Sequence, residues 1–267
     1  ANDTNLTMNG GRLIIGTGGV QPRMDGIYQL NDGIIEFTGN SEIQIRVGNN
    51  FNPKKYQAIE ISGTNVKAGS STETGLTFQP NGKFSVLANG VFKIPNLNGF
   101  IGTSTSAIKN AEDLSELNLD FNSTIEYNRN ENLTQSISVL ENGYGNLTLR
   151  GISTKIQNDK DLIVHNKTKL VEGNLTIPTS TDYELPFVVH SLNGLENSGG
   201  TIIFENNALL MQNPGAINLG NIQLKRNAIV PDIQYNFWSS PVHNQILYEL
   251  YPDIPSNRVM VYNSLTD

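Results

Sequence analysis

The residues Gly173-Asn174-Leu175-Thr176-Ile177-Pro178 read as one short strand with a single apolar side, and variants of that strand recur along the chain. Gly145-Asn146-Leu147-Thr148-Leu149 repeats it closely, and Gly90-Val91-Phe92-Lys93-Ile94-Pro95 keeps its apolar positions with different polar ones. Successive side chains of a strand point to opposite faces, so Leu175 and Ile177 share one side while Asn174 and Thr176 share the other. A strand this short is not stable alone in water. It needs copies of itself stacked above and below.

The rest of the sequence reads the same way. Alternating runs occur at Leu13-Ile14-Ile15, Gly26-Ile27-Tyr28-Gln29-Leu30, Ile43-Gln44-Ile45-Arg46-Val47, Ala58-Ile59-Glu60-Ile61, Leu76-Thr77-Phe78, Phe84-Ser85-Val86 and Leu117-Asn118-Leu119-Asp120-Phe121. Gly, Asn, Asp, Ser or Pro separates them, as turn chemistry requires. Helical periodicity is confined to a turn or two at residues 111–117 and 245–250. A longer similarity overlies the strands. Gly33-Ile34-Ile35-Glu36-Phe37 matches Ser123-Thr124-Ile125-Glu126-Tyr127, with a looser third copy at Gly200-Thr201-Ile202-Ile203-Phe204. It reads as a block of several coils duplicated together.

These observations predict an all-β fold, a parallel β-helix (β-solenoid) over residues 1–230. Equivalent strands of successive coils lie about 4.8 Å apart, with Ile, Leu, Val and Phe laddering inward and Asn stacking at corners. At roughly 20 to 25 residues per coil, some ten coils would make a rod on the order of 50 Å long. A β-sandwich of irregular short strands is the competing architecture. The pattern changes after Arg226, where Trp238 and then Tyr248, Tyr251, Pro252, Pro255 and Tyr262 no longer fit a coil. Residues 231–267 therefore read as a cap on the last coil or as the truncated start of a second, sandwich-like β domain.

Charge and residue types narrow the function classes. A net charge of −7 argues against a nucleic-acid partner, and Lys54-Lys55 and Lys225-Arg226 are too isolated to form a basic patch. There is no cysteine, so neither disulfides nor thiolate metal sites are available. No apolar run reaches the length of a membrane span. Ala1-Asn2-Asp3-Thr4 carries no signal-peptide features, and Asn5-Leu6-Thr7 already reads as a strand, so the chain is expected to begin inside the architecture.

The runs Ser123-Thr124-Ile125-Glu126-Tyr127, Tyr144-Gly145-Asn146-Leu147-Thr148-Leu149 and Gly173-Asn174-Leu175-Thr176-Ile177 resemble the repeat region of large secreted surface proteins of Bacteroidetes, especially flavobacteria. Tyr235-Asn236-Phe237-Trp238-Ser239-Ser240-Pro241-Val242, followed by Asn257-Arg258 and Tyr262-Asn263, resembles the segment that follows those repeats. The resemblance implies a stalk exported by the type IX secretion system, held at the cell surface or released, in a protein that ends in a sorting domain. Its relatives are described as adhesin-like or gliding-associated. No catalytic motif comes with it.

Candidate sites are sparse. His165 and His190 are about one coil apart, so an imidazole pair stacked for a metal is conceivable, but no acidic ligand accompanies them or His243 at a telling spacing. Asp159 with Asp161, Glu112 with Asp113, and Glu36 with Glu126 are the candidates for the two carboxyls a glycosidase needs. The last pair reads as equivalent outward positions of the duplicated strands, a solvated face. Asn31-Asp32-Gly33 and Asn158-Asp159-Lys160-Asp161 offer oxygen ligands for calcium, yet turn chemistry accounts for both. The Asn-Xaa-Thr triplets at Asn5, Asn132, Asn146, Asn166 and Asn174 read as the polar half of strand alternation rather than glycosylation sites. Gly16-Thr17-Gly18-Gly19 precedes no helix and reads as a loop. Tyr28, Tyr56, Tyr127 and Tyr144 either stack on sugars or pack at coil corners.

The expectation is a non-enzymatic, secreted cell-surface rod, with no catalytic, cofactor-binding or metal-binding residue assigned. Its expected partners are the outer-membrane secretion machinery and a polysaccharide or other surface ligand. The alternative is a carbohydrate-active β-helix enzyme, a lyase or hydrolase acting on extracellular polysaccharide.

Overall fold

The computed structural model describes residues 6–18, 28–42, 55–67, 75–102, 105–159, 161–180, 185–227, 246–250, 252–253 and 255. The expected strand at 43–47, the Trp238 segment, His243 and the strand-like run 259–262 lie outside the described residues. The chain forms two compact units, Ala1–Arg226 and Asn227–Asp267. In the second, the described residues contain one helical turn, Leu247–Leu250, where the sequence suggested one. Among the described residues no helix is long and apolar enough to cross a membrane.

Among the described residues of the first unit every strand pairing is parallel, and the unit is a β-solenoid of about seven turns over residues 8–224. Parallel neighbours cannot be joined by a tight hairpin, so the chain travels once around the axis between them. Four stacked faces result. Face 1 orders Leu6–Ile15, Tyr28–Phe37, Lys55–Ile61, Thr77–Val86 and Leu114–Leu119. Face 2 stacks seven short strands: Asn40–Glu42, Asn65–Lys67, Val91–Ile94, Thr124–Tyr127, Asn146–Leu149, Thr168–Leu170 and Leu195–Asn197. Face 3 comprises Thr134–Ile137, Thr154–Gln157, Asn174–Ile177, Thr201–Phe204 and Gln223–Leu224. Face 4 has three strands, Asp161–Val164, Val188–Ser191 and Leu209–Met211.

Seven turns replace the expected ten because some coils are long. Ile125 stacks on Leu147 after one short coil, but Phe92 stacks on Ile125 only after the chain has made an excursion through residues 95–113. That excursion brings Phe100, Ala107 and Ile108 into the core and ends in the short helical turn Ala111–Asp113; of the turn or two of helix that residues 111–117 suggest, the rest is strand Leu114–Leu119. Seven rungs at about 4.8 Å make face 2 roughly 30 Å tall.

The duplicated block is also corrected. Gly33–Phe37 lies on face 1, Ser123–Tyr127 on face 2 and Gly200–Phe204 on face 3, so the three copies are not stacked equivalents. They resemble one another because every face demands the same object, a short strand with alternate residues buried. The glycine that opens the motif has a separate cause. Gly173 sits at φ +80°, and a Cβ there would come within 2.3 Å of the Gly151 carbonyl of the coil below. Gly151 meets the Arg129 carbonyl in the same way. Corner backbones approach too closely for a side chain.

Packing changes along the axis. From Tyr56 to Tyr144 the core is a chain of touching rings, Phe78, Phe84, Phe92 and Phe100 among them, with centroids 5.2 to 6.4 Å apart. Beyond it the interior is mainly aliphatic, with Leu147, Leu149, Leu162, Leu175, Ile177, Val189 and Ile202 buried. An Asn ladder marks one corner, as expected, where Asn193 donates to Asn166 Oδ1 at 3.2 Å. A second pair, Asn31 donating to Asn9 Oδ1 at 2.8 Å, lies within the face 1 strands.

Candidate functional site

His165 and His190 do not stack. His165 occupies a corner, its Nε2 2.9 Å from the Asn142 carbonyl and its ring 6.5 Å from Phe121. In the next coil the residues level with that corner are Leu192 and Asn193, which bond to Val164 and Asn166. His190 instead lies on face 4, paired in register with Ile163, with Nε2 3.5 Å from Asp161 Oδ1. The stacked imidazole pair that their spacing made conceivable is therefore absent. Among the described residues no group of three or more His, Asp or Glu could hold a metal ion.

The carboxylates are spread over different faces. Asp161 is on a strand, whereas Asp159 is in the turn before it and its carbonyl accepts a hydrogen bond from Gln157 Nε2 at 2.6 Å. Glu112 and Asp113 lie in the short helical turn, where Asp113 takes a hydrogen bond from Asn110. Glu36 and Glu126 are not equivalent. Glu36, on face 1, accepts from Arg12 at 2.8 Å and from Ser62 Oγ at 2.6 Å. Arg12 also bonds Glu60, and the two acids together raise its pKa, Glu60 most. Glu126 points outward from face 2 yet its side chain is only 7% exposed. Lys93 Nζ lies 3.4 Å from it and Arg150 Nε 3.5 Å.

Register explains that enclosure. Lys67, Lys93, Glu126, Thr148, Lys169 and Glu196 stack in one outward row of face 2. Along such a row a charge has neighbours only about 4.8 Å away, close enough to cover it and to decide its pairing. Lys169 meets Glu196 at 2.5 Å, and Lys225 meets Glu205 at 2.8 Å between faces 3 turns.

Tyr56, Tyr127 and Tyr144 are core residues, so none of them offers a ring to a sugar. Tyr127 and Tyr144 hydroxyls are 2.9 Å apart. Tyr144 donates to the Ser138 carbonyl at 2.5 Å, and Tyr127 accepts from the Ser138 amide at 3.0 Å. Ser138 Oγ in turn accepts from the amides of Phe100 and Ile101, tying the 95–113 excursion to the rod. Burial raises both phenol pKa values, that of Tyr144 the more strongly. The side chain of Tyr28 lies outside the described residues.

Turn motifs keep their structural reading. Asn31-Asp32-Gly33 falls at a register shift inside a face 1 strand, with Asp32 Oδ1 accepting from the Gly33 amide at 2.7 Å. Gly18 caps a turn by donating to the Asn40 carbonyl at 2.9 Å. Asn146 and Asn174 open strands whose alternate residues are buried, as the polar half of the alternation.

The residues that sequence reasoning missed are inward and polar. On face 3, Gln135, Lys155 and Gln157 point into the rod, while Ile156 points out. Lys155 is 0% exposed. Its ammonium donates to the carbonyls of Arg150, Gly151 (2.7 Å) and Ser153 (3.2 Å), and burial lowers its pKa to about 8, with Glu172 opposing. Gln135 donates to the carbonyls of Ile94 (2.9 Å) and Asn96 (3.0 Å). Gln157 reaches Val188 at 3.1 Å. A lysine with a lowered pKa suggests chemistry. Enclosed in carbonyls, this one instead closes a turn.

A family model described as a domain of unknown function, DUF8693, matches residues 151–267. That stretch takes in the later strands of the solenoid together with the second unit. No curated protein and no solved structure matches the chain.

Proposed function

We propose that the chain is the stalk region of a non-enzymatic, adhesin-like surface protein, carried across the outer membrane of a Bacteroidetes cell by the type IX secretion system. In this reading residues 231–267 are a cap or the first strands of a following β domain. The observation that carries it is the way outward charge is used. Glu36 and Glu60 are bound by Arg12, Glu126 by Lys93 and Arg150, and Glu196 by Lys169, so these acids hold coil to coil. A catalytic pair of carboxyls would have to face one another across a groove instead. The rod displays its faces and loops, and weak polar or carbohydrate contacts are multiplied by valency.

Two experiments test this. Protease added to intact cells should remove the protein from the surface in wild-type cells and leave it protected in cells whose type IX translocon is inactivated. Equal protection in both would sink the export assignment. Purified protein should bind polysaccharide-coated surfaces without shortening the polymer. Release of oligosaccharides would replace this reading with the lyase or hydrolase alternative.

A further inference from the structure

The three larger faces differ in what they show to solvent. Faces 1 and 2 carry charged rows, Arg12, Glu36, Glu60, Lys83 and Glu116 on the first and Lys67 to Glu196 on the second. Face 3 carries no charge on its outward side. One outward row is Thr134, Thr154, Asn174 and Thr201; the next is Ser136, Ile156, Thr176, Ile203 and Gln223. The ladders joining its strands run without a register shift, whereas three of the four ladders in face 1 contain at least one.

The result is a two-dimensional, uncharged array, mostly of hydroxyls and methyls, with side-chain amides at Asn174 and Gln223. Its repeat is about 4.8 Å between strands and roughly 6.6 Å between alternate residues of one strand. Threonine and isoleucine are stiff at χ1, so each hydroxyl or methyl keeps its place. The charged groups bordering the array are partly neutralised, as with Glu205 and Lys225. No aromatic ring stands on the outward side to stack on a sugar. A charged side chain holds its own hydration shell and resists merging it with a neutral solid. This face lacks that obstacle.

We propose that face 3 binds a neutral, regularly hydrogen-bonding solid, the surface of ice. Its hydroxyls donate to and accept from lattice water while the methyls of Thr and Ile sit in the spaces between, and the absence of charge matches an uncharged lattice. This contact does not depend on how the protein is exported, and its failure would leave the surface-protein reading untouched.

The test uses the whole 267-residue chain. Wild-type protein in a nanolitre osmometer should shape ice crystals and open a gap between melting and freezing temperatures. It should also slow recrystallisation in a frozen sucrose film. Thr176→Lys puts a charge in the middle of the array and should abolish both effects, while Thr176→Val keeps the shape and should weaken them. Thr148→Lys, on the outward side of face 2, should behave as wild type. Circular dichroism confirms that each variant retains its β signal. An unshaped crystal with wild-type protein overturns the proposal, and so does equal activity of Thr176→Lys and wild type.

Discussion

Face 1 keeps its charges outside and its rings inside, and it tolerates long strands with register shifts near Asn9, Ala58 and Lys83. Face 3 has strands of four residues or fewer in unbroken register, an uncharged exterior, and Gln135, Lys155 and Gln157 turned inward. Both are parallel ladders obeying one spacing, so pairing alone does not set what a position must be. The difference teaches where polarity is tolerated inside a solenoid. On face 1 the wide aromatic core holds adjoining strands together through apolar area. On face 3 the carbonyls of nearby turns are bonded by buried side-chain donors such as Lys155.

The strongest way to break the aromatic side of this comparison is Phe84→Ala. Phe84 is fully buried and touches Phe78, Phe92 and Phe100. Its loss should cost about 3–5 kcal/mol, and urea unfolding of the variant checks it. A loss under about 1 kcal/mol would mean that the core collapses around the gap, contrary to a rigid ring stack.

On the polar side the informative variant is Lys155→Met. It takes the buried ammonium away from the Arg150, Gly151 and Ser153 carbonyls, and should lose about 1–3 kcal/mol at pH 7. The pH dependence sharpens the test. Lys155 has a pKa of about 8 when folded and its ordinary value of 10.5 when unfolded. Between these pH values the unfolded chain holds the proton that the folded one has released, so wild-type stability gains from this group as pH rises. The variant lacks that gain, and the gap between the two urea midpoints should widen from pH 7.5 to pH 10. A gap that narrows would show that the lysine is not held in a desolvated cage.

Much of this was legible beforehand, and the reasons are local. Leu175 and Ile177 inward, Asn174 and Thr176 outward, follow from a period of two that no packing partner can alter. Stacking followed from the shortness of such strands. What sequence did not reveal was which strand lies on which face. Glu36 and Glu126 sit in pentapeptides of a similar apolar and polar pattern, yet the number of residues between strands, not the strand itself, decides the face. The inverted strand Thr154–Gln157 was hidden for a related reason. Its own alternation, Lys155 and Gln157 against Thr154 and Ile156, points to Ile156 as the core residue. Register with Leu175 and Ile202 on neighbouring strands puts Lys155 there instead.

A smaller effect probes the corners that both faces share. Gly173→Ala forces a side chain into a φ of +80° and against the Gly151 carbonyl. It should cost at least about 1 kcal/mol, read as a lowered melting temperature. A neutral result would mean that the corner can open without disturbing the rungs on either side.

The smallest effects separate covered from open charge. Glu126 and Lys83 both belong to outward ladders, but Glu126 is enclosed by Lys93 and Arg150, whereas the Lys83–Glu116 pair is about half exposed on both sides. Solvent screens the open pair, so Lys83→Ala should change stability by less than about 0.5 kcal/mol. Glu126→Gln leaves two cations facing each other across a poorly hydrated gap and should cost more, about 1 kcal/mol. Raising the salt concentration should shrink the first difference to nothing and leave most of the second, because enclosed charges are screened less. Equal responses of the two variants to substitution and to salt would mean that stacking one coil on the next does not shelter an outward charge, and the row along face 2 would be no more than a set of surface ion pairs.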